Sequence, residues 1–257
     1  MNKDVYQPHF LEAIGQIATE AGALIMDIRA QGFITDHKED ASPVTEADRC
    51  ADRLICDAVR QIAPDIACVS EEGMQEEEAR ERGTFWCIDP LDGTKSFIRG
   101  EDEFTVNIGL VVNHVPCLGA IYLPVPRILY LGSAAQGAWR MHHGAPKEAI
   151  HCRVPEMGNL SAVTSARHGS MTQEHLRDRY GVTNTVAASS SLKFCVIAEG
   201  RADLYPRFGT TMEWDTAAGH AILCAAGGRV DCLEGTPLRY GKKDFYNPHF
   251  VAYGWSI

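Results

Sequence analysis

The segment Asp89-Pro90-Leu91-Asp92-Gly93-Thr94 delivers two carboxylates three residues apart, directly after the apolar run 85–88. Pro90 presets a turn, and Gly93 lets the backbone approach a ligand closely. Hard cations such as Mg2+ take carboxylate and carbonyl oxygens. Asp89, Asp92 and the Leu91 carbonyl could supply them from one turn. Taken alone, the pattern also fits a polar turn with solvated acids. It is not an EF-hand loop, because Leu91 would stand at the third position and Gly100 at the twelfth. A DxD-type aspartyl-phosphate nucleophile fits poorly, since two residues separate the acids.

Two more carboxylate sites accompany this one. Glu71 and Glu72 also follow an apolar run, 66–69, although adjacent Glu residues often form a solvated pair. Asp215, in Trp214-Asp215-Thr216-Ala217-Ala218-Gly219, stands where a helix cap or first-turn acid belongs. His220, on the helix after it, reads as a packing residue.

The elements that must position these residues are legible from periodicity. Leu11, Ile14, Ile17, Ala18, Ala21, Leu24, Ile25 and Ile28 form one apolar helical face. A second helix is predicted over 45–62, with Pro64 as its stop. Strands are predicted at 66–69, 85–88, 104–112, 117–122, 128–131 and 137–140, with Gly and Pro punctuating antiparallel connections. The alternation from Phe104 to Val112 suggests a strand with one buried face. After about Arg153 the pattern changes, with helices predicted near 172–180, 190–199 and 215–226. The chain therefore reads as two packed halves: 1–152, α+β and carrying most of the acids, and 153–257, α/β and carrying Asp215.

Composition narrows the class. The chain has 257 residues, 45% apolar and 23% charged, enough for a substantial core. A net charge of −10 argues against a nucleic-acid polymer as partner. A small phosphorylated compound is compatible, provided bound cations or a local basic pocket offset the protein's own field. The nine cysteines include no CxxC pair and read as free thiols in a reducing cytosol. No stretch reaches the roughly 18 apolar residues of a membrane span, and the start lacks a signal-peptide run. The expected location is cytoplasmic, with peripheral membrane association left open.

Together, Glu71-Glu72, Asp89-Pro90-Leu91-Asp92-Gly93-Thr94 and Trp214-Asp215-Thr216-Ala217-Ala218-Gly219 resemble the inositol-monophosphatase-like, lithium-sensitive phosphatases. Ser42-Pro43-Val44-Thr45-Glu46-Ala47-Asp48 looks like the family's early Thr-x-x-Asp element, and the resemblance spans nearly the whole chain. Asp92-Gly93-Thr94-Lys95-Ser96-Phe97-Ile98, Ser190-Ser191-Leu192-Lys193-Phe194-Cys195 and Leu204-Tyr205-Pro206-Arg207-Phe208 are similar to the bacterial-type 3′(2′),5′-bisphosphate nucleotidases within it.

The resemblance implies an α/β (α+β) fold, a layered αβαβα sandwich of the sugar/inositol phosphatase type. It implies two or three Mg2+ ions and inhibition by Li+. Glu71, Asp89 and the Leu91 carbonyl are expected to bind one ion, Asp89, Asp92 and Asp215 a second, with a weaker third through Glu71. Thr94, backed by Glu71 or Asp48, is expected to orient and deprotonate the attacking water; the Gly93 and Thr94 N–H groups cradle the phosphate, and Glu72 stands behind the ligands. Ser165 and His168, Ser190 and Lys193, and Arg207 match the family's substrate-binding positions, although Arg167 replaces an expected small residue. The implied reaction is hydrolysis of adenosine 3′,5′-bisphosphate to AMP and phosphate, clearing a by-product of sulfate activation, by a monomer or homodimer. The alternatives are an inositol or sugar phosphatase on the same scaffold, or an idle, metal-stabilised interaction protein.

Overall fold

The computed structural model describes residues 8–38, 42–73, 77–165 and 176–256. The first helix, α1 (Pro8–Gln31), buries Leu11, Ile14, Ala18, Ala21 and Ile25, which recur every three or four residues. Gly32, at φ +86°, closes it in left-handed backbone. A short antiparallel hairpin of β1 (Thr35–His37) and β2 (Pro43–Thr45) leads into α2 (Glu46–Ile62). Asp48 Oδ2 reaches back to the Thr45 N–H at 2.7 Å, the reciprocal contact of a capping box.

Both helices lie on one face of a seven-stranded sheet. Its strands are β3 (Ala67–Ser70), β4 (Phe85–Asp92), β5 (Thr105–Val112), β6 (Val115–Leu123), β7 (Ile128–Ser133), β8 (Gly137–His142) and β9 (Glu148–Ile150), paired in that order. Only β3 and β4 run parallel; the remaining neighbours are antiparallel. Helix α3 (Glu77–Arg82) joins β3 to β4, and α4 (Thr94–Ile98) follows β4.

Two local expectations are corrected here. The strand predicted to end at Ile88 continues through Asp92, with a register shift between Asp89 and Asp92 that accommodates Pro90. And β5 is buried at all eight residues rather than on one face. Its alternation records two different coverings, α1 on one side and a later helix on the other.

The second sheet has the order β11-β10-β12-β14-β13. It is built from β10 (Leu160–Thr164), β11 (Val182–Ala187), β12 (Leu204–Arg207), β13 (Arg229–Cys232) and β14 (Phe250–Tyr253). Helices α5 (Leu192–Ala198) and α6 (Ala217–Ala225) fill the space between the sheets, with Phe194, Ile197, Ile222, Leu223 and Phe250 in the shared core. Residues 176–180 are helical, and Leu176 packs on Leu160 and Val251. The rest of the helix predicted from residue 172 lies outside the described residues. The layers are therefore helix, sheet, helix, sheet, helix.

What seats α6 against the first sheet is a row of glycines. Gly109, Gly119 and Gly132 are register partners across β5, β6 and β7. A Cβ at Gly119 would come 2.2 Å from the Ala218 carbonyl oxygen, and one at Gly132 would come 2.4 Å from Ile222 Cα. Only hydrogen fits at this distance from helix backbone. Gly119→Ala should therefore destabilise the protein by about 1–3 kcal/mol, lowering Tm by roughly 2–12 °C. Calorimetry of the variant checks this; an unchanged Tm would show that the helix is not so tightly seated.

Candidate active site

The carboxylates predicted from sequence come together where β3, β4 and the approach to α6 meet. Glu71 follows β3, and its N–H donates to the Ile88 carbonyl at 3.1 Å, which ties the exit of β3 to β4. Asp89 and Asp92 lie on either side of the β4 irregularity. Asp215 precedes α6, and its Oδ2 accepts the Met212 N–H at 2.8 Å. Glu71, Asp89, Leu91, Asp92, Gly93, Thr94 and Asp215 all line one cavity of about 230 Å³.

So many acids in a buried space disfavour their own charge. Burial holds the Asp89 carboxyl well above the ordinary carboxylate range, and the neighbouring Glu71, Asp92 and Asp215 push the same way. Burial, then Asp92, carries Asp215 up to about 8. Burial also raises Glu71, against the pull of Lys38, and raises Asp92, against the pull of Lys193. Glu72 rises to about 7 through burial, with Lys38 opposing. Such a set calls for cations, and its all-oxygen chemistry suits a hard divalent ion.

Among the described residues, no three His, Cys, Asp or Glu side chains are already drawn into a ligand shell. The donors are gathered around the cavity without closing on a point, an arrangement that leaves room for the several waters Mg2+ keeps. One cation beside these acids is a residue that sequence reasoning passed over. Lys38 Nζ lies 2.7 Å from Glu71 Oε1 and 2.5 Å from Glu72 Oε1. Its sequence signal was weak, a lone Lys a few residues before the Ser42–Asp48 element.

Thr94 and Asp48 meet as expected. Thr94 Oγ1 lies 3.0 Å from Asp48 Oδ1 and 3.1 Å from the Leu91 carbonyl oxygen. Asp48 is buried, and its other oxygen is fixed by the Thr45 N–H and hydroxyl. Glu72 belongs to the Lys38 pair. Gly93, at φ +102°, turns the chain into α4, leaving its own N–H and that of Thr94 without intrahelical acceptors.

The predicted substrate residues occupy adjoining space. Asp92, Ser190, Lys193, Tyr205, Arg207 and Asp215 line a cavity of about 70 Å³ that shares Asp92 and Asp215 with the first. Arg207 continues into a third cavity, of about 230 Å³, together with Ser165, Tyr205 and Phe208. His168 lies outside the described residues. Lys193 is buried, donates to the Ser190 carbonyl at 2.9 Å, and is brought down to about 8 by burial against the pull of Asp92.

The start of α5 is tied to the acids: the Ser191 N–H is held by Asp92 Oδ2 at 2.8 Å. Ser190 adopts φ +51° and donates to the Asp92 carbonyl at 3.2 Å. Sequence reasoning also missed the support behind Asp92, where the Ser191 hydroxyl bonds Asn107 Oδ1 at 2.6 Å and lies 2.9 Å from Thr105 Oγ1. These residues sit far from Asp92 in sequence, so no local pattern marks them.

The Inositol monophosphatase family matches residues 7–253. The chain belongs to this family. It is 42% identical over 245 residues to the 3′(2′),5′-bisphosphate nucleotidase CysQ of Escherichia coli (strain K12), covering 93% of this chain and 98% of the relative. It is 40% identical to the protein of the same name from Buchnera aphidicola, over 94% of this chain and 92% of that one. Among solved structures, CysQ from Bacteroides thetaiotaomicron superposes with a TM-score of 0.79 at 37% identity, covering 97% of this chain and 98% of that chain. Inositol monophosphatase from Anabaena gives 0.73 at 26% identity, covering 97% of this chain and 91% of that chain. The carboxylate cavity of this inositol monophosphatase family member is thus the active-site candidate of a phosphatase.

The Thr94–Asp48 contact generates a direct test. Asp48→Asn keeps the shape and removes the charge that accepts from Thr94. The variant should lose roughly 10²-fold or more in kcat, the range for a positioned proton acceptor. Combining it with Thr94→Val should add little, because the two act as a unit. Steady-state phosphate release measures both; additive losses would separate the residues.

Proposed function

We propose that the chain is a Mg2+-dependent 3′(2′),5′-bisphosphate nucleotidase that converts adenosine 3′,5′-bisphosphate and water to AMP and phosphate. The observation that carries this reading is the pairing of two cavities. One is lined by carboxylates and the other by Lys193 and Arg207, and they share Asp92 and Asp215. The relatives named CysQ, alike over nearly their whole length, support the substrate.

Glu71, Asp89, Asp92, Asp215 and the Leu91 carbonyl would hold two Mg2+ ions, with a third more loosely held through Glu71. Bound there, the metal supplies charge neutralisation and lowers the pKa of a water. The chain's own groups do the rest. Thr94 Oγ1 takes the proton of the attacking water as it hands its own to Asp48 Oδ1. The Gly93 and Thr94 N–H groups receive the phosphoryl oxygens at the start of α4.

The phosphate that is not cut needs cations of its own in a protein of net charge −10. Lys193 lines the adjoining cavity, which Asp92 and Asp215 also line. Arg207 presents a buried Nε without a protein partner, while its Nη2 is held by the Thr210 carbonyl at 3.1 Å. An orphaned donor in a cavity wall is what a charge-assisted bond to a ligand phosphate would satisfy. Ser165 lines the space beyond Arg207, where the nucleoside would lie.

The deciding experiment is phosphate release from adenosine 3′,5′-bisphosphate, inositol 1-phosphate and fructose 1,6-bisphosphate with Mg2+ titrated. The nucleotide should give the highest kcat/KM by at least about tenfold, the discrimination expected from one added charge-assisted contact. Equal or higher values on inositol 1-phosphate would transfer the assignment to an inositol phosphatase. In the same assay, low-millimolar Li+ should depress initial rates while equal Na+ does not; identical curves would remove the loosely held third ion from the scheme.

Lys193→Ala tests the second cavity. Losing a charge-assisted bond costs about 1.5–3 kcal/mol, so kcat/KM for the bisphosphate should fall roughly 10- to 150-fold. Activity on inositol 1-phosphate should change little. Equal loss on both substrates would make Lys193 a structural partner of Asp92 instead.

A further inference from the structure

Helix α2 and strand β3 face each other through two thiols. Cys56 Sγ lies 3.2 Å from Cys68 Sγ, and both side chains are buried, at 6% and 4% exposure. All nine cysteines are in the thiol form. The pair sits in a short polar chain that leads to the active site. Asp52 Oδ1 accepts from Cys56 at 3.6 Å and also from the Ser70 hydroxyl. Ser70 ends β3, and Glu71 is the next residue.

We propose that Cys56 and Cys68 form a reversible disulfide site whose closure shifts the end of β3 and with it Glu71. The coupling to activity rests on the phosphatase reading above; the disulfide itself does not. A peroxide is the oxidant. One sulfur, its proton lost to water, attacks hydrogen peroxide and becomes a sulfenic acid, releasing hydroxide. The second sulfur displaces that hydroxyl, and the S–S bond forms. The net change is two thiols and one hydrogen peroxide giving one disulfide and two waters. Both electrons come from the sulfurs, and a dithiol reverses the step.

The geometry sets the consequence. A disulfide holds its sulfurs about 2.05 Å apart, so the two sulfurs must draw together by about 1 Å. Cys68 lies inside β3, two residues before its end at Ser70, so the part of the closure that side-chain rotation does not supply is carried by that strand. The hydrogen bond to Cys68, burial and the nearby Asp52 keep Cys56 protonated, so the reaction is slow and requires excess oxidant. A carboxylate misplaced by about 1 Å in an active site can cost roughly 10²-fold in rate.

The test treats the full-length protein with excess hydrogen peroxide, blocks the remaining thiols and maps peptides by mass spectrometry. A linked pair of peptides carrying Cys56 and Cys68 is expected, two hydrogens lighter than the separate thiol forms. Melting temperature should rise, because a cross-link constrains the unfolded chain. Phosphate release should fall by about 10- to 100-fold and return with dithiothreitol. Cys56→Ser and Cys68→Ala should each abolish the linked peptide, the melting shift and the peroxide sensitivity. Absence of the linked peptide while other cysteines react would overturn the site. A linked peptide with an unchanged rate would overturn the coupling to Glu71. Equal inactivation of the single variants would place the sensitive thiol elsewhere. A reduced wild-type protein that hydrolyses none of the tested phosphates would defeat the functional reading, and the peptide and melting measurements would still judge the disulfide.

Discussion

Crowded negative charge is the constraint around which this molecule is arranged. Glu71, Asp89, Asp92 and Asp215 line one cavity, and each is pushed toward its neutral form by burial, with neighbouring acids adding to the push on Glu71, Asp89 and Asp215. Separate parts of the chain contribute compensation. Lys38 comes from the β1–β2 hairpin, Lys193 from α5, and N–H donors come from Leu91, Ser191 and Met212. None of these contacts is local to all four acids. The site therefore holds together only if both sheets and the helices between them are in place, and bound cations would relieve the charge that remains.

The glycine row explains how Asp215 reaches that cavity. A helix resting on ordinary side chains stands well clear of a sheet, and its N-terminus would hold Asp215 too far out. With hydrogen alone at Gly109, Gly119 and Gly132, α6 lies with its backbone against β5, β6 and β7. Asn107, two residues from Gly109 on the same strand, is the register partner of Asp89. The surface that seats the helix is thus continuous with the strand that supports the first acid. Behind the turn carrying Asp215, the buried Glu213 carboxylate binds the Gly241 and Lys242 N–H groups at 2.7 and 2.9 Å. That clamp ties the residues before α6 to the segment ahead of β14.

Asp92 joins the two chemistries. Its carboxylate takes the first N–H of the α5 region and faces Lys193, and it also lines the acid cavity. Burial brings Lys193 down to about 8, and Asp92 opposes that shift. A cation wall and an anion wall set side by side suit a substrate with two separated phosphates. In the proposed reading, the cut group would meet the acids and the metals they hold, and the uncut group would meet Lys193 and Arg207.

The sequence alone determined the elements and the acids. The helices 8–31 and 46–62 were written in apolar spacing, Glu71, Asp89 and Asp92 in motifs after apolar runs, and Asp215 at a helix start, because local periodicity and turn chemistry are short-range properties. The family was legible too, from three motifs whose residue types and order survive in one dimension. Only the tertiary structure decided that Lys38 sits between Glu71 and Glu72, that the start of α5 spends its N–H on Asp92, and that Ser191, Asn107 and Thr105 stand behind it. It likewise decided that β5 is covered on both faces and that Cys56 meets Cys68. Each of these is a contact between segments distant in the chain. Its geometry follows from how sheets and helices pack, which no window of neighbouring residues encodes.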